Sequence, residues 1–347
     1  MRLAASSVCL AIFWASFALV TLGLRPALGG GDVPASRREI KFREFARHKD
    51  EYDTLVFGSS RTFRGFDPEN FDRLTEAAGT PTRTFNFGIP GARVMEIDRL
   101  LERIERLEPA RLRWVFVDPE RFQVLVDDEN ALSRAVIDWH DVARTRLICS
   151  YAVDGEEQLS RAWRRVRPHL VAAAYNLLGV GRGLELSDQL LGFEPDPETI
   201  LETLGSRGDG FPVRDNAGPR HRRFLRQIEV YHELVEAYRA QEPAPGPPSP
   251  QAVQAFAGIA RRVRALGAEP VFLTQPGLYR QDDLIQAAEA GEVGTLWRYD
   301  DPDRVPGLYA PEARFDANHL NQHGAELFTE LVARDFARMT ADRERGQ

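Results

Sequence analysis

Short apolar segments that alternate with helical patterns constrain the fold of this chain more than any other feature. The segments with the length and composition of buried strands are Thr54–Phe57, Thr84–Phe87, Trp114–Val117 and Pro270–Thr274. The clearest helical patterns are Val94–Leu107, Gln251–Leu266 and Gly324–Met339. Uniformly apolar strands that alternate with helices indicate a parallel sheet with helices on both faces. We therefore predict an α/β fold of three layers around a flavodoxin-like parallel sheet.

A long segment separates the third predicted strand from the fourth. Residues 126–250 show mainly helical patterns and end in the proline-rich run Glu242–Pro250, which is typical of a stiff linker. We predict that 126–250 is a helical insertion and that the α/β domain consists of 54–125 and 251–341. A chain of 347 residues is long enough for both parts.

The N-terminus predicts a membrane anchor. No charged residue occurs from Leu3 to Leu24, and a run of this length can cross a hydrocarbon core about 30 Å thick. Ala27–Gly29 also offers a small-residue cleavage site, so a cleaved signal peptide stays open. We predict a signal anchor over 1–28, a tether with a short helix over 29–53, and an extracytoplasmic remainder. That remainder is periplasmic if the anchor is kept and secreted if it is cleaved.

Charge and cysteine content exclude several classes of function. The formal net charge of -7 gives no electrostatic reason to expect a nucleic-acid partner. The two cysteines are Cys9, inside the apolar N-terminal run, and Cys149, so neither a disulfide framework nor a cysteine zinc site can be built from them. We expect no metal and no cofactor.

Candidate functional residues follow the predicted strands, because ligands gather beyond the carboxyl ends of parallel strands. Ser59 and Ser60 follow the first strand and Gly91 lies after the second. A serine at the start of a helix can expose its hydroxyl, and nearby backbone N–H groups can receive a developing oxyanion. Helix capping by the serines, and an ordinary turn at Gly91, are the alternative interpretations.

A second candidate group lies near the C-terminus. His319 needs a partner on its other ring nitrogen to act as a base, and Asp316 on a tight turn can supply one. The alternatives are a surface turn and a metal site formed by His319 with His323. Leu320 stands where a zincin would carry its glutamate, and a helix that begins between the two histidines would separate them.

Taken in order along the chain, these residues resemble the motifs of the SGNH/GDSL hydrolase superfamily. Ser60 matches the last position of the family's G-D-S block, and Gly91 matches the oxyanion glycine five residues after Asn86. Asp316 and His319 match the D-x-x-H block. The resemblance implies a Ser-His-Asp triad, with Ser60 as nucleophile and the N–H groups of Ser60 and Gly91 as the oxyanion hole.

The resemblance covers about 50–125 and 250–340 and leaves out the insertion. Residues 316–325 look like the D-x-x-H-L-N-x-x-G-A version found in membrane-tethered bacterial members of the cell envelope. It implies an exported serine acyl-ester enzyme, an esterase or O-acyltransferase, that deacylates or O-acylates a cell-surface or secreted polysaccharide. Its partners are then an acylated glycan or other ester and, through 1–28, the membrane.

Two departures from the family pattern bear on activity. Ser59 replaces the aspartate of G-D-S, which is not a triad member. The third block, G-x-N-D, is missing, because Asp118, Pro119 and Glu120 follow the third strand. The family's third oxyanion donor is then unassigned, with Asn176, Asn216 and Arg61 as candidates. The gap also supports a rival, a catalytically inactive SGNH-like envelope protein that binds glycan or a synthase partner.

Asp138 and His140 form another candidate pair. Their D-x-H spacing resembles the pair of alginate acetyltransferase-like members. In those proteins the pair precedes the serine, whereas here it follows Ser60. A helical face without catalytic function is the alternative interpretation.

Overall fold

The computed structural model describes Cys9, 12–17, 19–21, Gly23, 36–123, 132–180, 191–192, 194–213 and 218–346. The chain divides into two compact units. One comprises Met1–Glu39 with Gln123–Asp196, and the other comprises Ile40–Phe122 with Pro197–Gln347.

The second unit is built on a parallel sheet of five strands. The strands are β1 (Thr54–Gly58), β2 (Thr84–Gly88), β3 (Trp114–Val117), β4 (Glu269–Thr274) and β5 (Thr295–Arg298). Their spatial order is β2-β1-β3-β4-β5, the order of flavodoxin-like sheets. A small antiparallel ladder joins β6 (Arg314–Asp316) to β7 (His319–Leu320). The predicted α/β class with a parallel sheet is confirmed.

Helices cover both faces of the sheet. In chain order the helices are α1 (Arg37–His48), α2 (Ser60–Gly65), α3 (Pro68–Ala77), α4 (Val94–Glu105), α5 (Arg134–Trp139), α6 (Val142–Val153), α7 (Leu159–Leu177), α8 (Pro197–Leu204), α9 (Pro219–Arg226), α10 (Ile228–Arg239), α11 (Pro250–Ala265), α12 (Asp282–Glu289) and α13 (Gln322–Gly346). Helices α3 and α13 pack together on one face, while α4 and α11 pack together on the other. The result is the predicted three-layer arrangement.

Aromatic side chains fix α3 and α13 against the sheet. Phe336 of α13 lies 5.5 Å from Phe71 of α3 and 5.9 Å from Phe116 of β3, measured between ring centroids. All three rings are buried in one core cluster with Val56 of β1. Burial of a large apolar side chain contributes roughly 1.5–3 kcal/mol, so this cluster holds α3 and α13 against β1 and β3.

The fifth strand and the small ladder were not among the predicted elements. Thr295–Arg298 is only half-buried and ends in a charged residue, so it lacks the uniformly apolar pattern of the inner strands. The ladder strands Arg314–Asp316 and His319–Leu320 are too short to give a periodic signal. Within the segment 126–250, which shows mainly helical patterns, α9 and α10 are separate helices with Gln227 between them.

The segment predicted as one insertion, 126–250, is divided between the two units. Helices α5, α6 and α7 belong to the first unit, and α8, α9 and α10 to the unit of the sheet. Phe224 and Tyr231 of this second part are buried in the core cluster beside the sheet. The segment predicted as a tether, 29–53, contains α1, whose Phe45 is fully buried.

Most of the predicted signal anchor, 1–28, lies outside the described residues. Among the residues that are described, no helix combines the length and the apolar character needed to span a bilayer. The anchor therefore stays a prediction from the sequence.

Candidate active site

Two adjacent serines at the end of β1 have different surroundings. Ser59 precedes the first residue of α2, and its hydroxyl accepts a hydrogen bond from the Arg61 N–H at 3.2 Å. Ser59 therefore caps the helix, as Ser commonly does. Ser60 is the first residue of α2 and is half-buried. The Ser60 hydroxyl does not cap the helix and is available to another partner.

The end of β2 holds α2 in place. The Asn86 side-chain amide donates to the carbonyls of Thr62 at 2.9 Å and Phe66 at 2.8 Å, and its oxygen accepts from the Gly88 N–H at 2.7 Å. A Cβ on Gly88 would lie 2.2 Å from the Phe63 nitrogen, so only glycine fits there. Asn86, a landmark of the sequence motif, thus has a structural function.

A buried lysine supports the same strand end. The Lys41 ammonium donates to the carbonyl oxygens of Asn86 at 2.7 Å, Gly88 at 2.8 Å and Gly210 at 2.7 Å, and the side chain is fully buried. Buried charge is tolerated only when it is fully hydrogen-bonded. Helix α1 therefore supplies the cation that ties the end of β2 to the loop around Gly210.

The structure brings Ser60, His319 and Asp316 into one hydrogen-bonded chain. Ser60 Oγ lies 2.8 Å from His319 Nε2, and His319 Nδ1 lies 2.9 Å from Asp316 Oδ1. Asp316 Oδ1 also accepts from the backbone N–H groups of Asn318 at 2.8 Å and His319 at 3.0 Å. These bonds form the tight turn between β6 and β7 and aim the imidazole at Ser60. The arrangement can transfer a proton from the hydroxyl to the ring.

Electrostatics keep the carboxylate ionised and the imidazole neutral. Burial alone would raise the pKa of Asp316, but hydrogen bonds from His319 and Asn318 and the charge of Arg220 lower it to about 2. Burial lowers the pKa of His319, Asp316 partly offsets this, and the charges of Arg64 and Arg220 lower it further. A neutral imidazole beside an ionised aspartate is the state that a general base requires.

Two backbone N–H groups singled out by the sequence motif have no acceptor among the described residues. They belong to Ser60 itself and to Gly91, which is exposed and has a φ of 81°. That φ lies in the left-handed region favoured by glycine. These are the two groups predicted to form an oxyanion hole, and that role stays a prediction.

Acidic residues occupy the loop after β3, where the family pattern would place its asparagine. The Glu120 carboxylate accepts from the Ser59 hydroxyl and lies 2.9 Å from Arg61 Nη2. Asp118 lies 3.2 Å from the same Nη2 atom, and burial raises its pKa. Glu120 has a φ of 60°, an uncommon conformation for a residue other than glycine.

Two of the three candidates for a third oxyanion donor are engaged with other groups, and the third is not described. Arg61 is held by Glu120 and Asp118. The Asn176 amide is buried in the first unit and donates to the carbonyls of Ile137 at 2.7 Å and Asp138 at 3.1 Å. Asn216 lies outside the described residues.

Asp138 and His140 do not pair with each other. His140 Nδ1 lies 2.7 Å from the Val136 carbonyl, and Nε2 lies 2.9 Å from His169 Nδ1. Asp138 instead faces Arg38 at 3.7 Å. Burial lowers the pKa of His140 to about 4, so the ring is neutral at neutral pH.

His319 and His323, the alternative metal pair, are not arranged as metal ligands. Both ring nitrogens of His319 are engaged by Ser60 and Asp316, and His323 is exposed in the first turn of α13. Across the described ranges, no three His, Cys, Asp or Glu side chains are grouped as metal ligands.

Arg220 is a site residue that the sequence patterns did not indicate. Its Nε lies 2.5 Å from Asp316 Oδ2, although Arg220 belongs to the segment predicted as an insertion. The next residue, His221, contacts the Phe315 carbonyl through Nδ1 at 2.9 Å. The basic run of α9 looks like a solvated helix face in sequence, and only the packing of α9 against β6 reveals the contact.

The fold and site together define an α/β protein with a Ser–His–Asp chain beyond the carboxyl ends of its central strands. A scan of the chain against models of protein families finds no match, and a comparison with curated proteins finds no similar sequence.

Proposed function

We propose that this protein is an SGNH/GDSL-like serine acyl-ester enzyme. The observation that carries the proposal is the continuous chain from Ser60 Oγ through the His319 imidazole to Asp316, with distances of 2.8 and 2.9 Å. A hydroxyl in contact with a neutral imidazole that a carboxylate orients is an activated nucleophile. The motif order along the sequence supports the same class.

The first half-reaction forms an acyl-enzyme. His319 Nε2 takes the proton of Ser60 Oγ while that oxygen bonds to the ester carbonyl carbon, and the carbonyl oxygen becomes the oxyanion. The N–H groups of Ser60 and Gly91 stabilise this oxyanion. The C–O bond to the alcohol then breaks, and the alcohol leaves with the proton from His319. Asp316 stabilises the imidazolium that exists between the two transfers.

The second half-reaction decides between hydrolysis and transfer. His319 accepts a proton from water or from a sugar hydroxyl, whose oxygen attacks the acyl carbon. The bond from that carbon to Ser60 Oγ then breaks, and His319 returns the proton to Ser60 Oγ. Water makes the protein an esterase, and a sugar hydroxyl makes it an O-acyltransferase. The residues around the nucleophile are the same in both cases.

A polysaccharide of the cell surface or secreted matrix is the proposed substrate. The apolar N-terminal run supports export and anchoring, and the motif 316–325 resembles envelope members of the family. Members linked to alginate acetylation and teichoic-acid modification carry such motifs, which is an analogy from the resemblance.

One observation favours a second candidate, a non-catalytic protein that binds glycan or a synthase partner. The loop after β3 presents Asp118 and Glu120, and neither carboxylate is a hydrogen-bond donor when ionised. Loss of one oxyanion donor costs roughly 3–4 kcal/mol of transition-state stabilisation. If the protein is an acyl-ester enzyme, it should therefore be slow. If it is a non-catalytic binding protein, it should show no activity.

Covalent labelling by a fluorophosphonate probe separates the two candidates. The full-length chain in detergent is treated with the probe, and hydrolysis of p-nitrophenyl acetate is followed in parallel. Ser60→Ala removes the proposed nucleophile, while Ser59→Ala changes the adjacent capping serine and is the matched control. We expect labelling and hydrolysis in the wild type and in Ser59→Ala, and neither in Ser60→Ala.

Absence of labelling and hydrolysis in folded wild-type protein, with no acyl transfer to sugar acceptors, contradicts the catalytic proposal. Labelling that persists in Ser60→Ala assigns the nucleophile elsewhere. In an active wild type, the product formed from an acyl donor in the presence of a glycan distinguishes free acid from acylated glycan.

A further inference from the structure

Helix α7 has a buried side and a separate apolar side that is exposed. The buried side consists of Ala162, His169, Ala172 and Asn176, and the helix contacts α5 and α6 of the same unit. These buried positions are three, four or seven residues apart, so they lie along one side of the helix. This side holds α7 in the first unit and leaves the other sides of the helix to other contacts.

The exposed apolar side is a continuous stripe along the whole of α7. We call it the α7 stripe, and its residues are Leu159, Trp163, Val166, Leu170, Ala173 and Leu177. They are spaced alternately four and three apart, which keeps them on one side of a helix. Leu159 is 86% exposed and Trp163 is 56% exposed. Apolar residues grouped in this way on a surface mark a site that another molecule covers.

Arginines border the α7 stripe. Helix α7 contains four arginines and no acidic residue, although the whole chain has a formal net charge of -7. Arg167 comes four residues after Trp163 and three before Leu170, which places it at the edge of the stripe. Arg164 comes one turn before Arg167, and both arginines are exposed. The apolar stripe therefore has a positively charged margin.

The other two arginines of α7 have a different environment. Arg161 and Arg165 lie 3.3 and 3.6 Å from the carboxylate of Glu156, which offsets their charge. The acidic residues nearest in sequence, Asp154, Glu156 and Glu157, all precede the helix. Beyond its first turn α7 thus carries only positive charge, and the margin of the stripe is where that charge meets apolar surface.

An anionic lipid bilayer complements both parts of this surface. Helices that lie in the membrane interface combine a face of leucine and tryptophan with a margin of basic residues. Arginine can lay its aliphatic stem on apolar surface while its guanidinium reaches the lipid phosphates. A second copy of the chain is a poorer match, because two stripes packed together would place Arg164 and Arg167 of both copies along one seam, where like charges repel.

We propose that the α7 stripe lies on the surface of an anionic membrane, with Trp163 and Leu170 among the upper acyl chains and Arg164 and Arg167 at the phosphates. The predicted signal anchor, 1–28, is grouped with α7 in the first unit, so an inserted anchor tethers the unit that carries the stripe. This contact is independent of ester chemistry, because α7 contains no residue of the candidate active site.

The fluorescence of a single labelled cysteine tests the contact in the full-length chain. Cys9→Ala and Cys149→Ala remove the native thiols, and Leu170→Cys then carries a nitrobenzoxadiazole label. The labelled chain is placed in nanodiscs of phosphatidylcholine and phosphatidylglycerol, with and without lipids that carry a nitroxide on the upper acyl chain. A nitroxide quenches only a fluorophore close to it, and we expect the emission at position 170 to fall by about half or more.

Leu201→Cys in the same background is the matched control. Leu201 is 55% exposed against 43% for Leu170, but it lies on α8, whose charged residues are both acidic. Its label should lose less than about a tenth of its emission. Equal quenching at the two positions, or none at position 170, overturns the proposal. A label at position 170 that is shielded from iodide but not quenched by the nitroxide shows that protein covers the stripe, which overturns it as well.

Charge variants test the contribution of the arginines. Arg164→Gln combined with Arg167→Gln should remove about half or more of the quenching at position 170 in discs that contain phosphatidylglycerol. Arg222→Gln combined with Arg223→Gln removes the same charge from exposed positions on α9 and should keep the quenching. An equal loss in both double variants, or wild-type quenching that is as strong in pure phosphatidylcholine, contradicts an anionic membrane as the partner.

Discussion

The chain carries an aspartate shortly before a histidine in two places, and the two pairs have different partners. His319 holds Asp316 on Nδ1 and Ser60 on Nε2. His140 instead holds the Val136 carbonyl on Nδ1 and His169 on Nε2, while Asp138 faces Arg38. Both rings are buried, but only His319 has a carboxylate hydrogen-bonded to it.

Local backbone geometry explains the difference. Asp316 and His319 are separated by a tight turn between two short strands, where Asp316 folds back and accepts from the His319 ring and backbone. Asp138 lies in the last turn of α5 and His140 caps that helix. Residues two apart in a helix point to different sides. The same two residue types therefore form a pair in a turn and do not form one in a helix.

The largest expected effect distinguishes the two histidines by activity. His319→Ala should lower kcat/KM for p-nitrophenyl acetate by at least about a thousandfold, because the general base is lost. His140→Gln, measured on folded protein, should stay within about threefold of the wild type. An equal loss in the two variants would contradict the assignment of His319 as the base.

Substitution of Asp316 should lower activity, whereas substitution of Asp138 should lower stability. Asp316→Asn should lower kcat by about a hundredfold to ten-thousandfold, since the imidazole loses its orienting acceptor. Asp138→Asn should leave kcat nearly unchanged and lower the free energy of unfolding by about 1–3 kcal/mol, because Arg38 loses a buried partner. Urea unfolding followed by circular dichroism measures the second effect. A loss of kcat in folded Asp138→Asn protein would contradict the conclusion that Asp138 has no catalytic role.

As pH falls, the contribution of neutral His140 to the free energy of unfolding should be lost at a higher pH than that of ionised Asp316. The pKa of His140 is about 4 in the folded chain against 6.5 when unfolded, so the unfolded state binds the proton first. Its stabilisation is complete above pH 6.5 and is lost as pH falls towards 4, by up to about 3 kcal/mol.

Melting temperatures of the wild type and His140→Gln between pH 4 and 7.5 check this expectation, and the difference between them should narrow as pH falls. Asp316 has a pKa of about 2 against 3.8, so its contribution is lost only below about pH 4. If the melting temperatures of the wild type and His140→Gln differ by a constant amount from pH 4 to 7.5, His140 is not held neutral.

The smallest expected effect concerns the pH dependence of catalysis. Because the pKa of His319 is lowered, the acid limb of kcat/KM should lie below pH 6.5. Arg220→Gln removes a nearby positive charge, which raises the pKa of the imidazole and moves that limb upward by less than about one pH unit. Arg222→Gln should leave it in place, and a downward shift in Arg220→Gln would contradict the electrostatic explanation.

Different physical signals explain what the sequence predicts and what it does not. The buried strands β1, β2, β3 and β4 are largely apolar because both faces of the sheet are covered, so they are readily predicted. The half-buried β5 and the short ladder of β6 and β7 carry no such signal.

The residues of the candidate site also differ in whether the sequence predicts them. Ser60, Gly91, Asp316 and His319 each follow or form a strand end, and their order along the chain matches a motif. Arg220 contacts Asp316 only because α9 packs against β6, and no local pattern encodes a tertiary contact. The sequence likewise did not predict the division of 126–250 between two units, because long-range packing contacts assign each helix to a unit.

Lys41 has a practical consequence for work with recombinant fragments. Its ammonium satisfies carbonyl oxygens at the end of β2, and it comes from α1, which precedes the first strand. A fragment trimmed to begin at the sheet would leave three buried carbonyls without their donor, at about 1–3 kcal/mol each. A soluble preparation that removes the apolar N-terminus should therefore begin before Arg37.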